Sequence, residues 1–107
     1  MIIDLEKELI NQMKVQIEWL EEASVEQILR GAIEIRRHQT LSQGKWLTIK
    51  YSLVLASGGP DIEVDTNGTM VATWTPIRKT TWVGEKALKK LQEIAETLDQ
   101  IGGNCND

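Results

Sequence analysis

The sequence predicts an α+β fold: an N-terminal helix or helix pair, a three- to four-stranded antiparallel meander, and a C-terminal helix packed on one sheet face. Three observations lead there. The apolar period changes from three-to-four residues to two at Lys45, and it reverts to helical spacing at Glu85. Two strong turn signals, Gly58-Gly59-Pro60 and Asn67-Gly68, lie within the same short stretch. A chain of 107 residues can bury one compact core, so residues 1–103 are read as a single domain and residues 104–107 as a flexible tail.

Each element has its own warrant. Ile2, Leu5, Leu9, Met13, Ile17 and Leu20 recur at helical spacing, with Ile10, Val15 and Trp19 beside that stripe. Ala23-Ser24 interrupts the run, and Ser24-Val-Glu-Gln27 has the form of a capping box. A second helix is predicted from there to about Arg37, and one continuous helix through Ser24 stays open. From Lys45 the residues alternate, with Leu47, Ile49, Tyr51, Leu53 and Leu55 on one face and Trp46, Thr48, Lys50, Ser52 and Val54 on the other. Short strands follow at residues 61–66 and 69–75, and a further one is expected at 80–83. Leu88, Leu91, Ile94, Ala95, Leu98 and Ile101 mark the last helix.

Composition excludes several classes. One cysteine, Cys105, permits no intrachain disulfide, and one histidine, His38, leaves no set of structural zinc ligands. No metal and no cofactor are expected. No basic segment followed by an apolar run opens the chain, and no apolar stretch is long enough for a membrane span, so a cytoplasmic protein is expected. The net charge of −4 argues against sequence-independent nucleic-acid binding over the whole surface, and no direct sequence-specific nucleic-acid binding is expected. No nucleophile–base pair is legible, so no catalytic residue is assigned and the chain is read as a non-enzyme.

Charge is segregated along the chain. Glu18, Glu21, Glu22 and Glu26 would cluster on the N-terminal helices if one helical register ran through Ser24. Asp61, Glu63 and Asp65 alternate on a strand and point to one face, opposite Ile62 and Val64. These seven carboxylates are the candidate partner-binding surface. Charged faces also keep helices solvated and blunt sheet edges. An alternative site pairs Arg36, Arg37 and Arg78, for phosphates, with Trp46, for a base. It would make the protein a sequestering binder of a nucleotide signal.

The segment YSLVLASGGPDIEVDTNGTMVATW, residues 51–74, resembles a pattern in small phage and prophage proteins. The resemblance covers about a quarter of the chain. It implies an anti-defence role of the anti-CRISPR kind: binding and inhibiting a host protein or ribonucleoprotein complex, such as a CRISPR effector, in the host cytoplasm. It transfers no site residue; Gly58, Gly59, Pro60 and Trp74 read first as turn and packing positions. A homodimer is further expected, through Ile10, Val15 and Trp19, because apolar residues outside a core stripe mark interfaces.

Overall fold

The computed structural model describes residues 4–103; Ile2 and the tail 104–107, with Cys105, lie outside the described residues. Helix α1 spans Leu5–Glu22. Asp4 caps it by accepting the Lys7 backbone N–H at 3.2 Å, and Glu6 and Glu8 in the first turn suit the positive end of the helix dipole. The helix stops because Ala23 and Ser24 are both extended. Ser24 then starts α2, Val25–Gly31. Its hydroxyl accepts the Gln27 N–H at 3.1 Å, and the Gln27 side chain accepts the Ser24 N–H at 2.9 Å. The expected capping box is therefore present, and the N-terminal segment is a helix pair.

The second helix is much shorter than predicted. Residues 34–37 are not helical: strand β1 spans Glu34–Ser42 and pairs with β2, Lys45–Ala56. Gln43 and Gly44, at φ 51° and 77°, form the two-residue turn between them, and left-handed geometry at both positions is what a type I′ hairpin needs. Ile28, Leu29, Ala32, Ile33 and Arg36 fit a helical stripe, but Ile33, Ile35, Arg37, Gln39 and Leu41 fit a strand equally well. Nine paired residues of hairpin outweigh that local helical pattern.

Strands β3, Asp61–Asp65, β4, Thr69–Trp74, and β5, Ile77–Trp82, complete a five-stranded sheet in the order β1-β2-β3-β4-β5, antiparallel throughout. The expected meander thus gains a strand at the front and has its last strand lengthened. Pro76 sits in the turn between β4 and β5. Helix α3, Glu85–Gly103, returns across the sheet on the same side as α1. Leu53, Ile62, Val64, Met70 and Ala72 meet Leu9, Met13, Leu20, Ile28, Leu91 and Ile94 in one core. Each large aliphatic side chain buried there contributes roughly 1.5–3 kcal/mol. No helix among the described residues is long and apolar enough to cross a membrane.

Two bulges re-aim β2. Its pairing with β1 shifts between His38 and Gln39, leaving Ile49 as the extra residue. Trp46 consequently pairs with Leu41, and Thr48 with Gln39, on the face that Arg37 shares with Tyr51. Strict alternation had placed Trp46 and Thr48 with Lys50 and Ser52, and the bulge reverses that. A second shift, in the pairing with β3, leaves Leu55 as the extra residue. Beyond Tyr51 the β1–β2 hairpin projects past the core as an arm with Leu41, Trp46, Leu47 and Ile49 exposed. The molecule is 58 Å long against 29 and 23 Å in the other directions.

Tyr51 ties the base of this arm to α3, its hydroxyl donating to Asp99 at 2.6 Å. Burial, then the hydrogen bond and charge of Asp99, push the phenol above its ordinary range. A raised folded-state value favours the protonated form. Its stabilising contribution is complete below about pH 10, the unfolded value, and is lost as pH rises through the folded one. Urea denaturation from neutral to strongly alkaline pH should show wild-type stability falling more steeply above about pH 10 than that of Tyr51→Phe. At neutral pH the variant should be less stable by about 1 kcal/mol, for one hydrogen bond. Parallel profiles would mean that Tyr51 titrates alike in both states.

Candidate functional site

One face of the sheet carries no helix among the described residues. Period-two alternation brings to it Glu34, Arg36 and His38 from β1, Lys50, Ser52 and Val54 from β2, and Asp61, Glu63 and Asp65 from β3. The three β3 carboxylates do share one face, and Ile62 and Val64 are fully buried on the other. Their surroundings differ from the expectation. β3 is a central strand, so they protect no edge, and they do not form a free acidic row. Asp61 accepts the Gly58 N–H at 2.8 Å. Glu63 lies 3.7 Å from Arg36.

Asp65 is the most heavily engaged. Its Oδ1 accepts the Ser52 hydroxyl at 2.6 Å and its Oδ2 accepts Lys50 Nζ at 2.6 Å. His38 Nε2 lies 2.6 Å from the same Ser52 oxygen. A hydroxyl has one proton. Ser52 gives it to Asp65, so His38 must donate its Nε2–H to Ser52. In a nucleophile relay the serine proton goes to the histidine. Here the direction is reversed, and Ser52 is only 1% exposed. The chain from His38 through Ser52 to Asp65 is a cross-strand clamp over β1, β2 and β3. The sequence places Ser52 and Lys50 on one strand face; no local motif announces the contacts they make, because their partners lie more than ten residues away.

His38, Glu63 and Asp65 can bring three ligand atoms within 4.8 Å of one another. Lys50 already bonds Asp65, and Arg36 already neighbours Glu63. A divalent ion would have to compete with both cations. Arg36 also donates to Glu34 at 3.0 Å, and that hydrogen bond and charge hold Glu34 below the ordinary carboxylate range. Beside this pair the sheet surface dips into a hollow of about 330 Å³, lined by Glu34, Arg36, Val54, Asp61, Glu63 and Thr73 among others.

The chain matches no family model, no curated protein and no solved structure.

The other candidate residues are dispersed. The helical register does not continue through Ser24, so Glu26 in α2 leaves the row of Glu18, Glu21 and Glu22 in α1. Glu26 pairs with Arg30, Glu22 lies 3.6 Å from Lys86, and Glu21 is half-buried. The alternative phosphate-and-base site is not assembled. Arg36 and Arg37 point to opposite faces. Arg37 lies over the Tyr51 ring, 5.7 Å from its centre. Trp46 is out on the arm, and Arg78 belongs to β5, four strands or roughly 19 Å across the sheet from β1. Of the four tryptophans, Trp19 and Trp74 pack against the core, Trp82 lies over Gly68, and Trp46 is 65% exposed.

Proposed function

We propose that this protein is a non-catalytic inhibitor that binds a host defence factor, a CRISPR effector being the leading case, through the bare face of its sheet. The carrying observation is the hollow, which Glu34, Asp61 and Glu63 line together with a single cationic side chain, Arg36. Three carboxylates against one cation leave an excess of negative charge in a concave site. Such a site suits an arginine or lysine side chain from a partner's nucleic-acid-binding groove. The resemblance of residues 51–74 to small phage proteins directs this reading to host defence and to the host cytoplasm. Asp65, on the same face, supports the site from beside it by clamping the three strands.

The test is inhibition of target cleavage by purified CRISPR effector ribonucleoproteins, with wild type and the double variant Asp61→Asn, Glu63→Gln. Wild type should inhibit one effector in a salt-sensitive way. The double variant should lose about tenfold or more in potency, with a shallower salt dependence. Its folding should change little, because half-exposed charges contribute little to stability. Equal potency of the two proteins would remove the hollow as the contact. Absence of inhibition across the effectors would remove the defence reading.

A further inference from the structure

We propose that the open edge of β1 pairs with β1 of a second copy of this chain, joining two five-stranded sheets about a two-fold axis into one continuous antiparallel sheet. The argument begins with which backbone groups are free. Tyr51 bonds toward β3: its carbonyl accepts the Thr66 N–H at 2.9 Å, and its own N–H bonds the Thr66 hydroxyl at 3.0 Å. Alternation then turns Lys50, Ser52 and Val54 toward β1, where they face His38, Arg36 and Glu34. Those three residues spend their backbone groups on β2. Ile35, Arg37, Gln39 and Leu41 therefore present N–H and C=O to the open edge. β1 is nine residues long, contains no proline, and is exposed throughout except at half-buried His38. Edges of that kind are templates for another strand.

The strand is complementary to itself. A two-fold axis at His38 sets Ile35 opposite the partner's Leu41 and Arg37 opposite the partner's Gln39, so the four residues with free groups bond to one another. Arg36 then faces Thr40, Glu34 faces Ser42, and no like charges stand directly opposite. Centring the axis on Arg36 or Arg37 would set guanidinium against guanidinium. Centring it on Gln39 or Thr40 would set Leu41 against Arg37 or Gln39. The axis at His38 also uses every residue of the strand.

Apolar burial favours the same register. Ile35 is 37% exposed and Leu41 is 58% exposed. Leu53 pairs with Ile35, and Leu41 with Trp46. The joint would thus align Leu53, Ile35, the partner's Leu41 and the partner's Trp46 in one row across four strands, twice over. Such cross-strand apolar pairs stabilise sheets. The one unfavourable contact is diagonal, between the two Arg37 side chains, and each already lies over a Tyr51 ring. A foreign strand would have to reproduce this pattern by coincidence, which is why the occupant is a second copy.

Sedimentation from about 1 to 300 μM, a range that spans ordinary dimer affinities, combined with amide hydrogen exchange, tests the interface. Wild type should dimerise. The amides of Ile35, Arg37, Gln39 and Leu41 should exchange about tenfold more slowly or better in the concentrated sample, a change expected when free N–H groups become paired. Amides of β5, the other edge, should not change. Leu41→Lys, which leaves the backbone untouched, should raise the dissociation constant about tenfold or more. Gln39→Pro, which removes an N–H that β2 does not use, should do the same. In His38→Cys the two cysteines would meet at a non-hydrogen-bonded pair, with Cα atoms about 4.5 Å apart, and should cross-link on mild oxidation. A wild type that stays monomeric at the highest concentration overturns the proposal. So does a dimer that Leu41→Lys leaves intact with those four amides unprotected, which would return the interface to Ile10, Val15 and Trp19 on α1.

Discussion

Replacing Gly68 with valine is expected to cost about 2–5 kcal/mol, adding backbone strain to overpacking. Gly68 sits at φ 96° in the turn between β3 and β4, and the Trp82 ring lies directly over it. A Cβ placed there would come within 2.9 Å of Trp82 Cε3. Either the indole must swing off the turn or the turn itself must shift, since the pairing of Thr69 with Trp82 fixes where the ring starts. Urea denaturation measures the loss, and Gly58→Val is the natural comparison. Gly58 has the same φ of 96°, but nothing lies within 4 Å of its added Cβ. Only the strain component, about 1–3 kcal/mol, should appear there. Equal losses at the two sites would mean that Trp82 swings away freely and contributes no packing at Gly68.

The second large effect is expected at Asp65. Asp65→Ala should lower stability by about 2–3 kcal/mol, because it takes the acceptor from a buried hydroxyl and removes a charge-assisted bond. Ser52 would keep only His38 as a partner. Lys50 is one-third exposed and can turn toward water, which limits the penalty on its side. Ser52→Ala should cost less, about 1 kcal/mol, since Asp65 would still hold Lys50. Chemical denaturation of both variants orders them. A smaller loss for Asp65→Ala than for Ser52→Ala would show that the carboxylate is a burden retained for some purpose other than stability.

Much of the fold was legible in local chemistry. The capping box at Ser24, the presence of a turn at Asn67-Gly68, the buried faces of β3 and β4 and the stripe of α3 are all set by neighbours within a few residues, although only Gly68 of that pair has the positive φ that a type I′ turn needs at both. β1 was not legible, because Ile28 to Arg36 satisfies a helical and an extended pattern at once. The choice is made by β2, which lies beyond the turn. Trp46 was assigned to the wrong face for a related reason: a bulge has no sequence signature when the inserted residue is an ordinary Ile49. On the candidate site, Asp61, Glu63 and Asp65 were placed on the correct face. Their partners Ser52, Lys50 and Arg36 come from other strands, and only the strand pairing brings them together. The acidic row on the helices depended on a register that Ser24, by capping α2, ends.

The bulge at Ile49 also makes the arm tolerant of a lost residue. Without Ile49, Lys50 would follow Thr48 directly, and simple alternation would keep Thr48 and Trp46 on the side of Tyr51, where their pairing with Gln39 and Leu41 already holds them. Regular pairing with Ile49 retained would instead turn everything from Lys45 to Thr48 through half a period, moving Trp46 to the side that carries the hollow and Leu47 to the side of the helices. A one-codon deletion at Ile49 would therefore straighten the arm and leave its two sides as they are, whereas loss of the bulge alone would exchange them.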